Sequence, residues 1–256
     1  MANILVCIKR VPDLGGQISL TPDSMSVDTS RLGHTVSPHE ECAVELAIQA
    51  AKSSDGEATV LSLGTTDSLE QIRDALAVGC TGAVLVEAEA EQFGPSDVAG
   101  AIADVVRAHE RDGRTYDLLL LGNDAADTGD FQVGIRLAYA LGRPVVAGVS
   151  TIEVVDGRVI ARASAAEGTD VFEVDLPAVM TVMEGGIEPR YPSIPGRMKA
   201  KRVTVETVTP SDPPAGSGRL RLKLPPVQPS QVEILGQGPE AATAVVDLLE
   251  SLGVSR

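Results

Sequence analysis

Short apolar runs alternate with stretches of helical spacing through the first half of the chain. The runs Ile4–Ile8, Ala58–Leu63, Ala83–Val86 and Leu118–Leu121 have the length of buried strands. Between them, Glu41–Ala51, Ser68–Ala77, Pro95–His109 and Phe131–Leu141 carry apolar residues three and four apart, as one face of a helix requires. Pro95 suits a first helical turn and Ser68 an N-cap. Strands alternating with helices in this way predict an α/β fold, a doubly wound, mostly parallel sheet covered on both faces. In such folds a ligand settles beyond the carboxyl ends of the strands. The residues just after each strand are therefore the first candidates for function.

From Pro144 the pattern changes. Val145–Val155, Asp156-Gly157 and Arg158–Ala163 read as a β-hairpin, because an Asp-Gly pair supplies the positive φ angles of a tight turn. Val171–Val174 and Ala178–Val182 follow as strands, the second expected to close the domain. Pro, Ser, Asp and Gly gather over Thr209–Ser217, a linker signal. Arg219–Gly238 is Pro-rich and extended, and Glu240–Leu252 is an amphipathic helix. The expected organisation is a nucleotide-binding α/β domain over residues 1–208 and an arm over 209–256. An extended arm ending in one helix cannot bury its own apolar face. Its own domain or a second chain could support it, and a second chain is expected.

Composition narrows the picture. Aromatics make up 2% of the 256 residues and Trp is absent, so the core must be built from Ala, Val, Leu and Ile. That suits a parallel sheet buried between helices. The formal net charge of −15 and pI near 4.6 leave no basic stripe for nucleic acid or for an anionic membrane surface. Cys7, Cys42 and Cys80 show no CxxC spacing and read as reduced core thiols. No basic leader precedes the first strand, and no apolar run approaches the roughly 20 residues a bilayer requires. A cytoplasmic protein without membrane insertion is expected.

Familiar catalytic signatures are missing from the sequence. It has no GxGxxG after a strand, no GxxxxGK[ST], no GxSxG and no HExxH. His34, His39 and His109 are too scattered for a metal site. What remains is loop chemistry. Gly122–Gly134 follows a strand and opens a helix, and its small residues let backbone approach a ligand while the helix N-terminus offers N–H groups to a phosphate. Asp127, Asp130 and Gln132 are candidates for ribose or base edges. An acidic helix-capping loop accounts for the same residues. Ser37-Pro38-His39-Glu40 poses the same alternative, with Pro38 stiffening the turn and Ser37 capping.

A resemblance then becomes specific. Lys9-Arg10-Val11-Pro12-Asp13 resembles the opening of the electron transfer flavoprotein beta subunit. Ser37–Ala47 is similar to that family's Asn-Pro-x-x-Glu-x-Ala-x-Glu segment, and Ile72–Gly79 to its Ile-Arg-x-Ala-Leu-x-x-Gly helix. Leu176-Pro177-Ala178-Val179-Met180-Thr181, Glu188-Pro189-Arg190-Tyr191 and Met198-Lys199-Ala200-Lys201 follow in the order of the family's signature region. The resemblance runs from the N-terminus to about Thr207 and weakly into the arm.

The resemblance implies a Rossmann-like, adenine-nucleotide-binding domain paired with an alpha subunit that holds most of one FAD. It implies bound AMP in this chain and electron transfer from flavin-dependent acyl-CoA-type dehydrogenases to a membrane quinone oxidoreductase. The chain is then an electron carrier without catalytic residues of its own. By position, the nucleotide cradle comprises Cys7, Ser37, Pro38, His39, Glu40, Leu63, Gly122, Ala125, Asp127, Thr128, Gly129, Asp130, Phe131, Gln132, Val133 and Gly134. Tyr191, Pro192, Ser193, Ile194, Pro195 and Gly196 match a recognition loop that plants an aliphatic side chain in a partner dehydrogenase, with Ile194 as the anchor. In the family the arm wraps over the alpha subunit.

Some positions depart from the family pattern. His39 stands where a Phe is common, and is expected to offer the flavin a hydrogen bond or a positive charge. Leu14 replaces a common Tyr, Ser37 an Asn, and Arg197 a usually apolar residue. Gln132-Val133-Gly134 is more like bifurcating relatives, in which a second FAD replaces AMP, although the rest of their loop is not matched. Two other classes stay open: a regulatory nucleotide-binding module similar to universal stress proteins, and a nucleotidyl-transferring α/β enzyme. The Glu188–Tyr191 region and the arm weigh against the first, and the missing phosphate loop against the second.

Overall fold

The computed structural model describes residues 1–15, 18–226 and 232–254. In chain order the elements are β1 (Ile4–Ile8), β2 (Val11–Pro12), β3 (His34–Thr35), α1 (Pro38–Ser53), β4 (Ala58–Gly64), α2 (Leu69–Val78), β5 (Gly82–Glu87), α3 (Pro95–Arg111), β6 (Leu118–Gly122) and α4 (Val133–Leu141). They continue with β7 (Val145–Val155), β8 (Arg158–Ala165), β9 (Gly168–Asp175), β10 (Ala178–Val182), α5 (Ile194–Ala200), β11 (Glu206–Val208) and α6 (Ala241–Ser251). Two compact units result, Met1–Arg221 and Leu222–Arg256.

In the first unit a nine-stranded sheet among the described residues runs β11-β5-β4-β1-β6-β10-β7-β8-β9. Its first seven strands are parallel, and β8 and β9 continue it antiparallel as a ribbon. Alternation along β1 sorts its side chains onto two faces: Ile4, Val6 and Ile8 pack with α1 and α2, Leu5 and Cys7 with α3 and α4. The sheet is doubly wound, with Ala, Val, Leu and Ile filling both layers.

Several expectations need correction. Ala178–Val182 does not close the domain at an edge; β10 inserts between β6 and β7, so its carboxyl end lies beside that of β6. A short strand not read from the sequence, β11, takes the far edge beside β5. Ser68 stands at the N-cap of α2 as expected, at the end of a 3-10 turn, but its side chain makes no cap bond. The Thr209–Ser217 stretch and the residues up to Arg221 belong to the first unit. Of the extended Arg219–Gly238 segment, residues 227–231 lie outside the described residues. In the second unit α6 carries exposed Val245, Val246, Leu248 and Leu249.

Candidate functional site

β1, β6 and β10 end side by side, and the N-terminus of α1 reaches the same edge. A capping box starts α1 at Pro38: Ser37 Oγ accepts from the Glu40 N–H at 3.3 Å, and Glu40 Oε2 accepts from the Ser37 N–H at 3.2 Å. The carboxyl takes a second donor on Glu40 Oε1, the Lys9 N–H just beyond β1, at 2.9 Å. Ser37 and Glu40 are both buried. Burial pushes the Glu40 carboxyl up to about 8, against the opposing pull of the Lys9 and Ser37 N–H groups and the Lys9 charge. Gly122, the last residue of β6, has no room for a side chain: a Cβ there would lie 2.7 Å from Glu40 Cγ and 3.3 Å from His39 Cβ. Ser37, Glu40, His39 and Gly122 therefore form one packed rim, with Pro38 in the first turn of the helix behind it.

His39, in the first turn of α1, links two strand ends. Its Nδ1 accepts the Glu184 N–H at 2.9 Å, and its Nε2 lies 2.9 Å from Asp124 Oδ1. A backbone N–H only donates, so Nδ1 is the acceptor and Nε2 carries the proton shared with Asp124. Both ring nitrogens are engaged within the chain.

The opposite rim is the loop from Asn123 to Gln132. Asn123 is fixed at its root, donating its N–H to the Val182 carbonyl at 2.9 Å and accepting Thr181 Oγ1 on its Oδ1 at 2.7 Å. Beyond that, Thr128 and Gly129 both donate to the Ala125 carbonyl, at 3.1 and 2.7 Å, and Gly129 takes a left-handed φ of 61°. Asp127 receives Lys9 Nζ at 2.8 Å, and Asp130 receives Arg219 Nη2 at 2.9 Å. The helix starts at Val133, not at Phe131, which is 58% exposed. Gln132 precedes it but does not cap; its Oε1 accepts from Arg136 Nε and Nη2 at 3.1 and 2.8 Å. The first N–H groups of α4 thus lack both an intrahelical partner and a side-chain cap. Gly134 seats the helix on β10, where an added Cβ would meet Thr181 Cγ2 at 2.3 Å.

Cys7 and Leu63 are buried near the ends of β1 and β4, on the α3–α4 face of the sheet. Burial, and then the neighbouring Glu40 charge, push the Cys7 thiol well above its usual range. Both residues are walls rather than donors. Lys9, Asp124, Glu184 and Arg219 were not among the cradle residues expected from the sequence. The first three sit within a few residues of a strand end, which was the available signal. Arg219 had none.

The electron transfer flavoprotein domain model matches residues 24–213 of this chain. The electron transfer flavoprotein subunit beta of Syntrophomonas wolfei is 32% identical over 252 residues, covering 97% of this chain and 96% of its own. That of Bacillus subtilis is 30% identical, covering 97% and 98%, and that of Homo sapiens 33% identical, covering 82% of each. The chain belongs to the electron transfer flavoprotein beta-subunit family.

Two of the family-like segments explain each other in this fold. Arg190, of Glu188-Pro189-Arg190-Tyr191, forks onto Glu45 of α1 through Nε at 2.7 Å and Nη2 at 2.6 Å. Gln49 adds a bond to the same buried carboxylate at 2.7 Å. Burial alone would raise the Glu45 carboxyl, but the Arg190 and Gln49 bonds outweigh it and hold it below the usual range. This clasp delivers the chain to Tyr191–Gly196. That segment is not all loop: Ser193 caps α5 by accepting the Gly196 N–H at 3.1 Å, so Ile194, Pro195 and Gly196 form a first helical turn. Gly196 allows α5 to lie on the end of α2, since a Cβ would meet the Ala77 carbonyl at 2.2 Å. Arg73 of α2 closes the other end through the Ala200 and Val203 carbonyls. Ile194 and Met198, four residues apart, stand 82% and 55% exposed beside Tyr191 and Pro192. Arg197 pairs with Asp74 at 3.0 Å. Among the described residues no group of His, Cys, Asp and Glu could hold a metal, and no helix is long and apolar enough to cross a membrane.

Proposed function

We propose that this chain is the beta subunit of a heterodimeric electron transfer flavoprotein. It binds AMP between the two rims and supports the FAD of an alpha subunit. The observation carrying the reading is the meeting, at one sheet edge, of three segments far apart in sequence: Lys9, Ser37–Glu40 and Gly122–Gly134. The donors suit an adenylate. The uncapped first turn of α4 offers N–H groups to a phosphate, and around Gly129 an added Cβ would meet nothing within 4 Å. Bound flavin supplies the electron chemistry, which asks no acid, base or nucleophile of the protein.

The residues of this chain hold, orient and dock. The cleft fixes the nucleotide, the exposed Ile194 and Met198 on α5 anchor a flavin-dependent acyl-CoA-type dehydrogenase, and α6 leans on the alpha subunit. Electrons then pass to a quinone oxidoreductase. The working place is the cytoplasm.

Co-expression with candidate alpha subunits, acid release and chromatography of the bound nucleotides test the reading. One AMP and one FAD per heterodimer are expected. Two FAD and no AMP would replace it with the bifurcating type, towards which Gln132-Val133-Gly134 leans. A colourless, nucleotide-free pair would end it.

A further inference from the structure

The loop from Asn123 to Gln132 carries three acids in a chain whose net charge is −15. Left alone, they would set a negative field where a phosphate is to sit. Each has been met by a partner from a different part of the fold. Asp124 is hydrogen-bonded by His39 Nε2, whereas the charges of Asp127 and Asp130 are met by cations, Lys9 just beyond β1 and Arg219. Arg219 also lies 3.5 Å from the Thr128 carbonyl, so it spans the loop rather than touching one side chain.

Arg219 comes from the segment after β11, and that segment is fastened. The Gly216 N–H donates to Asp97 Oδ2 at 2.8 Å, the same oxygen that accepts the Gly94 N–H at 2.9 Å at the start of α3. Gly94 leaves the passage open, since a Cβ there would lie 2.4 Å from the Gly216 carbonyl oxygen. Gly216 and Gly218 take φ angles of 85° and 72°, turning the chain towards the loop. A strap pinned three residues earlier thus delivers one guanidinium to one loop carboxylate.

We propose that Arg219 determines the cleft's acceptance of a phosphorylated ligand, by neutralising Asp130 as Lys9 neutralises Asp127. The proposal rests on the reading of this cleft as an AMP site. It makes a distinction that a merely structural strap does not. Loss of loop support weakens nucleoside and nucleotide alike, whereas an uncompensated Asp130 penalises only the ligand that carries phosphate.

The test titrates AMP and adenosine calorimetrically into the full chain, freed of bound nucleotide, for the unaltered protein, Arg219→Gln, Asp130→Asn and the double variant. Arg219→Gln should weaken AMP about tenfold, the order expected for one unpaired charge within a screening length of the ligand. Adenosine affinity should hold, and the AMP deficit should shrink in added salt. The double variant should regain AMP affinity, and Asp130→Asn alone should bind AMP at least as tightly as the unaltered chain. Equal losses for both ligands, an Arg219→Gln that binds AMP normally, or a double variant as weak as Arg219→Gln would each overturn the proposal. Failure of the unaltered chain to bind AMP would appear in the first titration and would strike the AMP reading itself.

Discussion

The two rims of the cleft are built on opposite principles. On the α1 side, buried Ser37 and Glu40 are hydrogen-bonded to each other and to the Lys9 N–H, and Gly122 lets Glu40 pack against the end of β6. On the α4 side, the loop is held at its root by Asn123 and above that by partly exposed ion pairs and two turn bonds. Ion pairs of that kind contribute little to stability. One side is fixed by buried hydrogen bonds and close packing; the other is tied mainly by contacts that solvent screens. The fixed rim also has a cost, because Glu40 holds a proton that an exposed carboxylate would release. Perturbed buried acids gather at functional sites, where stability is given up for a defined arrangement.

That cost gives the largest expected effect. Glu40 titrates near 8 in the folded chain and at the ordinary 4.5 when unfolded. Between those values the unfolded chain has released the proton and the folded chain has kept it. Stability should therefore fall as pH rises from about 5 to 8, by up to about 1.4 kcal/mol per pH unit, and level off above. Glu40→Gln cannot titrate and should flatten the profile over this window. Denaturant unfolding followed by far-UV circular dichroism, since the chain lacks Trp, would show it. Parallel profiles for the two proteins would mean that Glu40 does not hold the proton.

Smaller effects probe the same rim. Gly122→Ala drives a methyl group into Glu40 and should cost about 1–3 kcal/mol, the usual penalty for overpacking a close-packed site. Ser37→Ala removes the cap of α1 and should cost about 1 kcal/mol. Thermal midpoints should order the two variants as stated; a Gly122→Ala protein as stable as the parent would show the rim to be looser than its distances imply.

The fixed rim was also the legible one. Ser37-Pro38-His39-Glu40 spells a capping box with proline in the first turn, and α1 begins there, three residues before its apolar periodicity becomes visible at Glu41. The strands were readable because β1 and β6 are short apolar runs and β4 is a mainly apolar one. The loop rim was readable only as a candidate, since the same acids suit a capped helix, and Phe131 continued an apolar spacing that the backbone does not follow. Tertiary contacts decided the rest. Ser193 and Pro195 are local start signals for α5 that its short, mixed sequence obscures, and Arg73, far away in sequence, takes carbonyls from the other end. The position of β10 depends on the order in which strands pair, which local spacing does not encode. Arg219 reaches Asp130 only because Asp97 fastens the strap at Gly216.

The smallest expected effect tests the loop rim directly. Lys9 Nζ and Asp127 Oδ1 are 2.8 Å apart with side chains 34% and 20% exposed, so solvent screens much of their attraction. Lys9→Gln should change global stability by less than about 0.5 kcal/mol. The Lys9 N–H bond to Glu40 is a backbone contact and survives the substitution. What should change is local: the loop loses one tie, and amide exchange at Thr128 and Gly129, whose N–H groups share the Ala125 carbonyl, should quicken while that of α1 stays slow. Exchange mapped by mass spectrometry on the parent and variant separates the outcomes. A loop that opens alone bears out the division between the rims, whereas equal acceleration in α1 would make them one cooperative unit and remove the contrast.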